Sequence, residues 1–242
     1  MCECFKLTCD HVDSRGAKDI GLLGYTQALV IKDVWSKLKD IYPAKSKDTQ
    51  DTEWAIGDFI GDKVAKKTFH HTMYSDQEES IKAACKNLKI RSEFSQPGVP
   101  RNNALIERTV GDILEGARTL SRTAGLPATF WPWAAKCFCM LENVGPESAD
   151  DTPWFMTHAE HFTGMRLPFG CAIRYLPNKT KKQKKEGKVV YKDKQAKWEG
   201  RSRVGVFAGY EMKPGYGLGV TLLGTWTRSR TRTSTLSRRS AW

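Results

Sequence analysis

The chain has 242 residues, 40% of them hydrophobic, and a formal net charge of +12 at pH 7. This is enough for one large domain or two modest ones with a core. No apolar run approaches the length of a membrane span, and the N-terminus has no apolar signal-peptide centre. Because the seven cysteines are an odd number without a secretion signal, we expect reduced thiols in an intracellular, not a secreted, protein.

The N-terminal part of the chain predicts strands that precede and then alternate with helices. Three strands are predicted first, at residues 6–14, 28–35 and 37–45, and the third pairs with the second. The next predicted elements are a helix at 49–64 with Trp54, Phe59 and Ile60 on one side, a strand at 69–76, a helix at 77–88 and a strand at 90–94. This order favours an α/β fold with an RNase H-like mixed sheet flanked by helices.

Residues 101–125, RNNALIERTVGDILEGARTLSRTAG, predict a long helix with one apolar face. The residues that recur at steps of three and four are Ile106, Val110, Ile113, Ala117 and Leu120. An asparagine pair precedes this face and Gly125 follows it, as helix caps would require. Glu107 lies in the first turn at the border of the apolar face. It either complements the helix dipole as a solvated carboxylate, or it points at acids that the fold brings from other elements.

The composition changes after a further predicted helix at residues 126–144, with Thr129 as its N-cap and Pro132 tolerated in its first turn. Short strands separated by turns then indicate a small all-β module. We therefore divide the chain into an RNase H-like core at 1–148, a small β domain with a basic loop at 149–224, and a disordered Arg/Ser/Thr tail at 225–242.

Positive charge is concentrated near the C-terminus. Residues 179–203 contain eleven basic and three acidic residues, and residues 225–242 contain five arginines and no acids. A near-neutral body with basic segments favours a nucleic-acid partner, although a solvated lysine-rich loop has the same composition. The candidate nucleic-acid contacts in this region are Lys181, Lys182, Lys184, Lys185, Arg201 and Arg203.

Three acids occupy the ends of elements that would meet in such a fold. Asp10 lies in the first strand, Asp76 ends a later strand, and Glu107 opens a helix. In an RNase H-like sheet those two strands are neighbours, and a helix packed across them can point an acid at the same edge. Three carboxylates this close repel one another unless a cation intervenes. Mg²⁺ or Mn²⁺ held in this way suits in-line phosphoryl transfer.

Other residues with metal-binding chemistry have simpler explanations. His158 and His161 have helical spacing, but no cysteine pair accompanies them at zinc-finger spacing. Cys137 and Cys139 lie in a predicted helix, where their thiols diverge, so we expect them to pack in the core. His70 and His71 lie on a predicted strand, where exposure to solvent or packing in the core explains them without a metal ion.

The stretch YSDQEESIKAACKNLKIRSEFSQPGVPRNNALIERTVGDILEGARTLSRTAGLPATFWPWAAKC, residues 74–137, carries a recognisable pattern. An acid follows a serine, a proline-containing loop precedes an asparagine, and Glu-Arg opens a long helix that leads to GLP and FW. This resembles the integrase core of Ty1/copia-like retroelements. ALVIKDVWSKLKDIYPAKSK resembles the second and third strands of that family. PFGC and GRSRVGVFAGYEMKPGYG resemble the small β domain that follows its core, which implies that the all-β module of this chain is SH3-like. The resemblance covers most of residues 7–220 and implies a piece of a larger Pol polyprotein.

The resemblance implies roles for individual residues. Those that match the family's catalytic, metal-binding triad are Asp10, Asp76 and Glu107. Asp13 is an alternative to the first of these, and Asp33 matches a non-catalytic aspartate of the second strand. Asn103 and Arg108 match the asparagine and arginine that flank the triad glutamate, and we expect both to contact nucleic acid.

The sequence also departs from the family. Gln77 and Glu78 follow Asp76, where the family usually has Asn and often then Gly, and Ala104 stands where Gly is frequent. The family's N-terminal His-His-Cys-Cys zinc domain has no counterpart in the sequence.

Integrase-like strand transfer is the function that we expect, with element ends and target DNA as partners. The alternatives are an inactive remnant that only binds nucleic acid and an RNase H-like nuclease. A second copy of the chain is a candidate partner, whereas a membrane and a small-molecule substrate are not expected. A DNA substrate implies the nucleus.

Overall fold

A five-stranded mixed sheet forms the centre of the molecule. The computed structural model describes residues 5–14, 16, 19–61, 71–95, 103–145, 151–176, 183–185, 188–190, 202–212 and 218–223. The strands are β1 (Phe5–Asp13), β2 (Gln27–Asp33), β3 (Lys39–Ala44), β4 (His71–Ser75) and β5 (Arg91–Phe94), in the order β3-β2-β1-β4-β5. The first three strands are antiparallel, and β1, β4 and β5 are parallel. The predicted mixed sheet, in which β1 and β4 are neighbours, is confirmed.

Helices cover both faces of this sheet. On one face, α1 (Thr49–Ile60) and α2 (Glu79–Asn87) enclose an apolar cluster with Ile31, while on the other α3 (Ala104–Thr123) and α4 (Trp131–Val144) enclose a cluster with Val30. Adjacent residues of β2 thus belong to different cores, because side chains alternate across a strand. A short helix, α5 (Pro153–His158), follows.

Some helix details differ from the sequence predictions. Trp54 is 62% exposed, because the buried face of α1 consists of other residues, Thr52, Ala55, Ile56, Phe59 and Ile60. Thr129 lies within a 3₁₀ helix, and Phe130 is the N-cap of α4. Asn103 is the N-cap of α3, but its side chain makes no capping hydrogen bond. The predictions for Trp54 and Thr129 were therefore wrong, whereas the predicted position of Asn103 as a helix cap is confirmed.

The apolar face predicted for α3 is buried as expected. Ile106, Ile113 and Ala117 are buried, and Val110 and Leu120 pack at the edge of the same cluster. Beyond the helix, Gly125 takes a φ of +65°, which glycine adopts without strain.

The edge strand β3 is covered by α4. The buried side chain of Asn143 donates from Nδ2 to the Lys39 carbonyl at 2.7 Å and accepts from the Lys39 amide at 3.1 Å. This pairing satisfies backbone groups that an edge strand otherwise leaves open.

A second sheet follows in the sequence and packs on α4. It comprises β6 (Ala172–Tyr175), β9 (Arg203–Met212) and β10 (Leu218–Leu223), while β7 (Gln183–Lys185) and β8 (Lys188–Val190) form a separate hairpin. Gly209 of β9 has a φ of +110°, and a Cβ there would lie 2.9 Å from the Cβ of Cys137. The SH3-like class and the domain boundaries remain predictions, and the predicted tail at 225–242 lies outside the described residues.

Candidate active site

Asp10 and Asp76 lie side by side at the carboxyl edge of two parallel strands. The register of β1 and β4 pairs Phe5 with His71 and Thr8 with Tyr74. Two residues further along each chain, the same register brings Asp10 level with Asp76. The two acids therefore lie on neighbouring strands, and their role as metal ligands stays a prediction.

The electrostatics of Asp10 reflect this arrangement. The pKa of its carboxyl is raised from 3.8 to about 6, first by partial burial and then by the charge of Asp76. A hydrogen bond from the His11 backbone opposes these effects, while Glu78 and Glu107 add to them. Four acidic side chains thus act on a common region, and their mutual repulsion disfavours the ionised form of Asp10.

Glu107 reaches this region because α3 crosses the sheet. Ile106 and Thr109 are buried on either side of it, whereas Glu107 itself is exposed. The Thr109 hydroxyl donates to the Leu105 carbonyl at 2.8 Å and accepts from Lys32 of β2 at 3.1 Å. This contact fixes the first turns of α3 on the sheet.

The donor chemistry of this edge fits a divalent cation. Asp10 and Asp76 are adjacent carboxylates, the ligands that Mg²⁺ prefers, and a cation would relieve their repulsion. Among the described residues, however, no three His, Cys, Asp or Glu side chains lie close enough together to hold a metal ion. The charge of Glu107 acts on Asp10, but Glu107 does not complete a three-residue cluster with the two aspartates.

The alternative acids have other contacts. Asp33 is buried at the end of β2, where its carboxylate accepts hydrogen bonds from the backbone of Trp35 and from the backbone and hydroxyl of Ser36. These bonds close the β2–β3 turn. Asp13, at the end of β1, forms an ion pair with Lys47 at 3.3 Å.

One contact at this site was not anticipated from the sequence. The Nδ1 of His11 lies 2.6 Å from Oε2 of Glu78, and Lys47 lies 3.5 Å from the other oxygen of Glu78. His11 directly follows Asp10, and Glu78 is the second residue after Asp76, but no local pattern in the sequence links the two.

The predicted nucleic-acid contacts are scattered. Asn103 precedes α3, and its buried Oδ1 has no hydrogen-bond partner among the described residues. Arg108 is exposed on the first turn of α3, and Arg203 is exposed at the start of β9. Lys184 and Lys185 belong to β7. The remaining three candidates, Lys181, Lys182 and Arg201, lie outside the described residues.

The histidine and cysteine alternatives have structural roles. The ring of His158 stacks on Trp154 at 3.9 Å, and that of His161 lies 4.7 Å from Phe155. Cys137 and Cys139 are buried, as predicted. The side chains of the histidine pair at residues 70–71 lie outside the described residues, so the roles expected for them stay predictions. In the regions that the structure describes, no helix has the length and apolar character to cross a membrane.

Comparison with known proteins identifies a retroelement relative. No protein-family profile matches the sequence. A stretch of 62 residues is 39% identical to the retrovirus-related Pol polyprotein from transposon TNT 1-94 of Nicotiana tabacum, which is 26% of this chain but only 5% of that polyprotein. The catalytic core domain of BIV integrase aligns with 62% of this chain and 90% of its own, with 14% identity and a TM-score of 0.43.

The sequence match confirms the predicted resemblance to the Pol polyprotein of a copia-like retroelement. The strand order and directions described above agree with the mixed sheet predicted from the sequence.

Proposed function

We propose that this chain is an integrase-like core that joins DNA ends to target DNA. The observation that carries this proposal is that Asp10 of β1 and Asp76 after β4 lie on neighbouring parallel strands. Partial burial, then the charge of Asp76 and smaller effects of Glu78 and Glu107, raise the pKa of Asp10. The match to a retroelement Pol polyprotein supports it. Because the chain spans a small part of that polyprotein, the activity is argued from the site.

The proposed reaction is an in-line phosphoryl transfer. A DNA 3′-hydroxyl attacks a target phosphodiester, so a new P–O bond forms as the old one breaks and the displaced 3′-oxygen leaves as a hydroxyl. Asp10 and Asp76 would hold Mg²⁺ or Mn²⁺, with Glu107 as a third carboxylate. When bound, such ions activate the attacking hydroxyl and stabilise the leaving oxygen.

Nucleic-acid binding is proposed for the flanks of this edge and for the basic region. Arg108 and Asn103 adjoin Glu107, and the lysines of the basic loop with Arg201 and Arg203 would contact phosphates without sequence preference. The same proposal divides the chain into a core at 1–148, a small SH3-like domain at 149–224 and a tail. It also includes a nuclear location and self-association.

The test compares the wild-type chain with Glu107→Gln in strand-transfer and end-processing assays on short duplex DNA with Mg²⁺ or Mn²⁺. Glu115→Gln is the matched control, because Glu115 is an exposed acid on the same helix. We expect joined products from the wild type and from Glu115→Gln. Loss of one triad carboxylate should reduce joining by at least about 100-fold, an effect of the size that removal of a group stabilising the transition state causes.

A second candidate function is a remnant that binds nucleic acid without catalysis. The residues after Asp76 and the absence of a three-ligand cluster among the described side chains favour it. Binding to DNA without product from any of the three proteins would support this reading. Cleavage without joining would instead support an RNase H-like nuclease.

A further inference from the structure

We propose that Glu78 and His11 are positioning residues that hold Asp76 beside Asp10, an inference that rests on the proposed function. The 2.6 Å contact between His11 Nδ1 and Glu78 Oε2 is at the short end of hydrogen-bond lengths. The His11 side chain is only 4% exposed, so water competes little for it. The contact joins the residue after Asp10 to the second residue after Asp76.

This contact lies on the opposite face of the sheet from the Asp10 carboxylate. Asp10 pairs with Val30, which belongs to the core beneath α3 and α4, whereas His11 pairs with Leu29, which belongs to the core beneath α1 and α2. Because alternate residues of a strand face opposite sides, the His11–Glu78 pair can fix the two strand ends without occupying the face that carries Asp10.

Glu78 also acts on Asp76 through the backbone. The Glu78 amide donates to Asp76 Oδ1 at 3.3 Å, and Glu78 is the N-cap of α2. Its side chain makes no capping hydrogen bond to the helix and reaches His11 instead. A change in the Glu78 side chain therefore acts on the same turn that orients the Asp76 carboxylate.

Two neighbouring groups hold the pair in place. Thr52 Oγ1 of α1 lies 3.4 Å from His11 Nε2, so the imidazole has a partner on each side. Lys47 lies 3.5 Å from Glu78 Oε1 and offsets part of the negative charge that Glu78 adds to this acidic edge. The pair thus connects β1, α1 and the β4–α2 turn. Glu78, a departure from the family pattern, has a structural role in this chain.

Mn²⁺ affinity, measured by the electron paramagnetic resonance signal of free Mn²⁺, tests this role. We expect Glu78→Ala and His11→Ala each to weaken Mn²⁺ binding by about 10- to 100-fold, the usual effect of losing a residue that orients a metal ligand. The double variant should bind Mn²⁺ only slightly more weakly than the single variant with the lower affinity, because the two residues act as a unit.

Glu78→Gln can still accept the His11 hydrogen bond and should retain most of the Mn²⁺ affinity. If Glu78 contributed only charge, Glu78→Gln would lose as much as Glu78→Ala and His11→Ala would lose little, which would overturn the proposal.

Glu79→Gln is the matched control, since Glu79 is the next acid in the chain and its side chain is 87% exposed. Thermal melts of every variant exclude unfolding as the cause of a lower affinity.

Hydrogen exchange of the metal-free protein gives a readout that does not depend on metal. Glu78→Ala should speed amide exchange in residues 76–80 and at the end of β1, whereas Glu79→Gln should not. Unchanged exchange in Glu78→Ala would overturn the positioning role. If exchange is faster in Glu78→Ala but the wild-type chain binds no Mn²⁺, the positioning role stands and the metal-dependent function is refuted.

Discussion

Asp10 destabilises the metal-free fold when its carboxyl is ionised. Its pKa is about 6 in the folded chain against 3.8 for an unperturbed group, because of partial burial and then the charge of Asp76. The folded state therefore holds this proton more tightly than the unfolded state does. The destabilisation is complete above about pH 6 and is relieved as the pH falls from 6 towards 3.8.

Asp10→Asn should therefore raise the melting temperature in EDTA at pH 8 and have a smaller effect at pH 4.5. Solvent screening of this partly exposed group limits the gain to about 1 kcal/mol, or about 2–4 °C for a protein of this size. Asp151→Asn, at an exposed position, is the control and should change nothing at either pH. If Asp10→Asn shifted the melting temperature equally at pH 8 and pH 4.5, the pKa of Asp10 would not be raised in the folded chain.

Single residues of the candidate site were predictable when they belonged to a local pattern. The serine before Asp76 and the Glu-Arg pair at Glu107 are signals within a few residues. The His11–Glu78 contact is not local, because 67 positions separate its partners in the chain. Neither residue carries a pattern of its own, so only the register of β1 against β4 reveals that they meet.

The packing of α3 on α4 depends on a glycine that is not at a turn. A Cβ built on Gly116 would lie 2.2 Å from the ring of Phe138 on α4, whereas a Cβ on Gly111 would contact nothing within 4 Å. Gly116→Ala should therefore destabilise the protein by about 1–3 kcal/mol through overpacking. Gly111→Ala, in the same helix, should stabilise it by about 0.5–1 kcal/mol, because alanine is the better helix former.

Chemical denaturation of both variants measures this difference directly. The opposite signs make Gly111→Ala an internal control for helix propensity. A stabilised Gly116→Ala would mean that the Phe138 ring moves aside at little cost, and that the close approach of the two helices is not required.

The existence of the helices and strands could be predicted more reliably than their details. The periodicity of Ile106, Ile113 and Ala117 identified α3 because these three residues form its buried face. Trp54 was assigned to the buried face of α1 for its apolar character, yet it lies on the surface with its ring edge-on to Tyr42 at 5.8 Å. Composition alone could not show that smaller residues fill that face.

At the scale of the whole molecule, the second sheet shares a core with α3 and α4. Phe207 and Tyr210 of β9 belong to the same buried cluster as Ile113 and Met140. The Tyr210 hydroxyl also donates to the Met165 carbonyl, and it accepts from the Leu167 amide at 2.8 Å. The sequence showed a change of composition after α4, but it could not show this packing, because the partners lie far apart in the chain.

The uneven charge of the molecule predicts how the proposed DNA binding would depend on salt. If the basic loop contacts phosphates, the logarithm of the association constant falls linearly with the logarithm of the salt concentration, by about 0.9 for each phosphate neutralised. Replacing Lys181, Lys182, Lys184 and Lys185 with glutamine should reduce that slope by up to about 3.6, the value for four lost contacts. Fluorescence anisotropy of a labelled duplex in a salt series measures the slope.

A control of equal charge separates contact from net charge. Four basic residues are exposed on and beside the helices that flank the first sheet, namely Lys86, Lys89, Arg118 and Arg122. Replacing these four with glutamine removes the same total charge. Because counterion release requires basic groups placed against phosphates, the control should weaken binding only slightly and leave the slope nearly unchanged. Equal losses in both variants would mean that the overall positive charge attracts DNA without a defined contact at the loop. A slope unaffected by either would place the phosphate contacts elsewhere, with Arg108 beside Glu107 as the first residue to change.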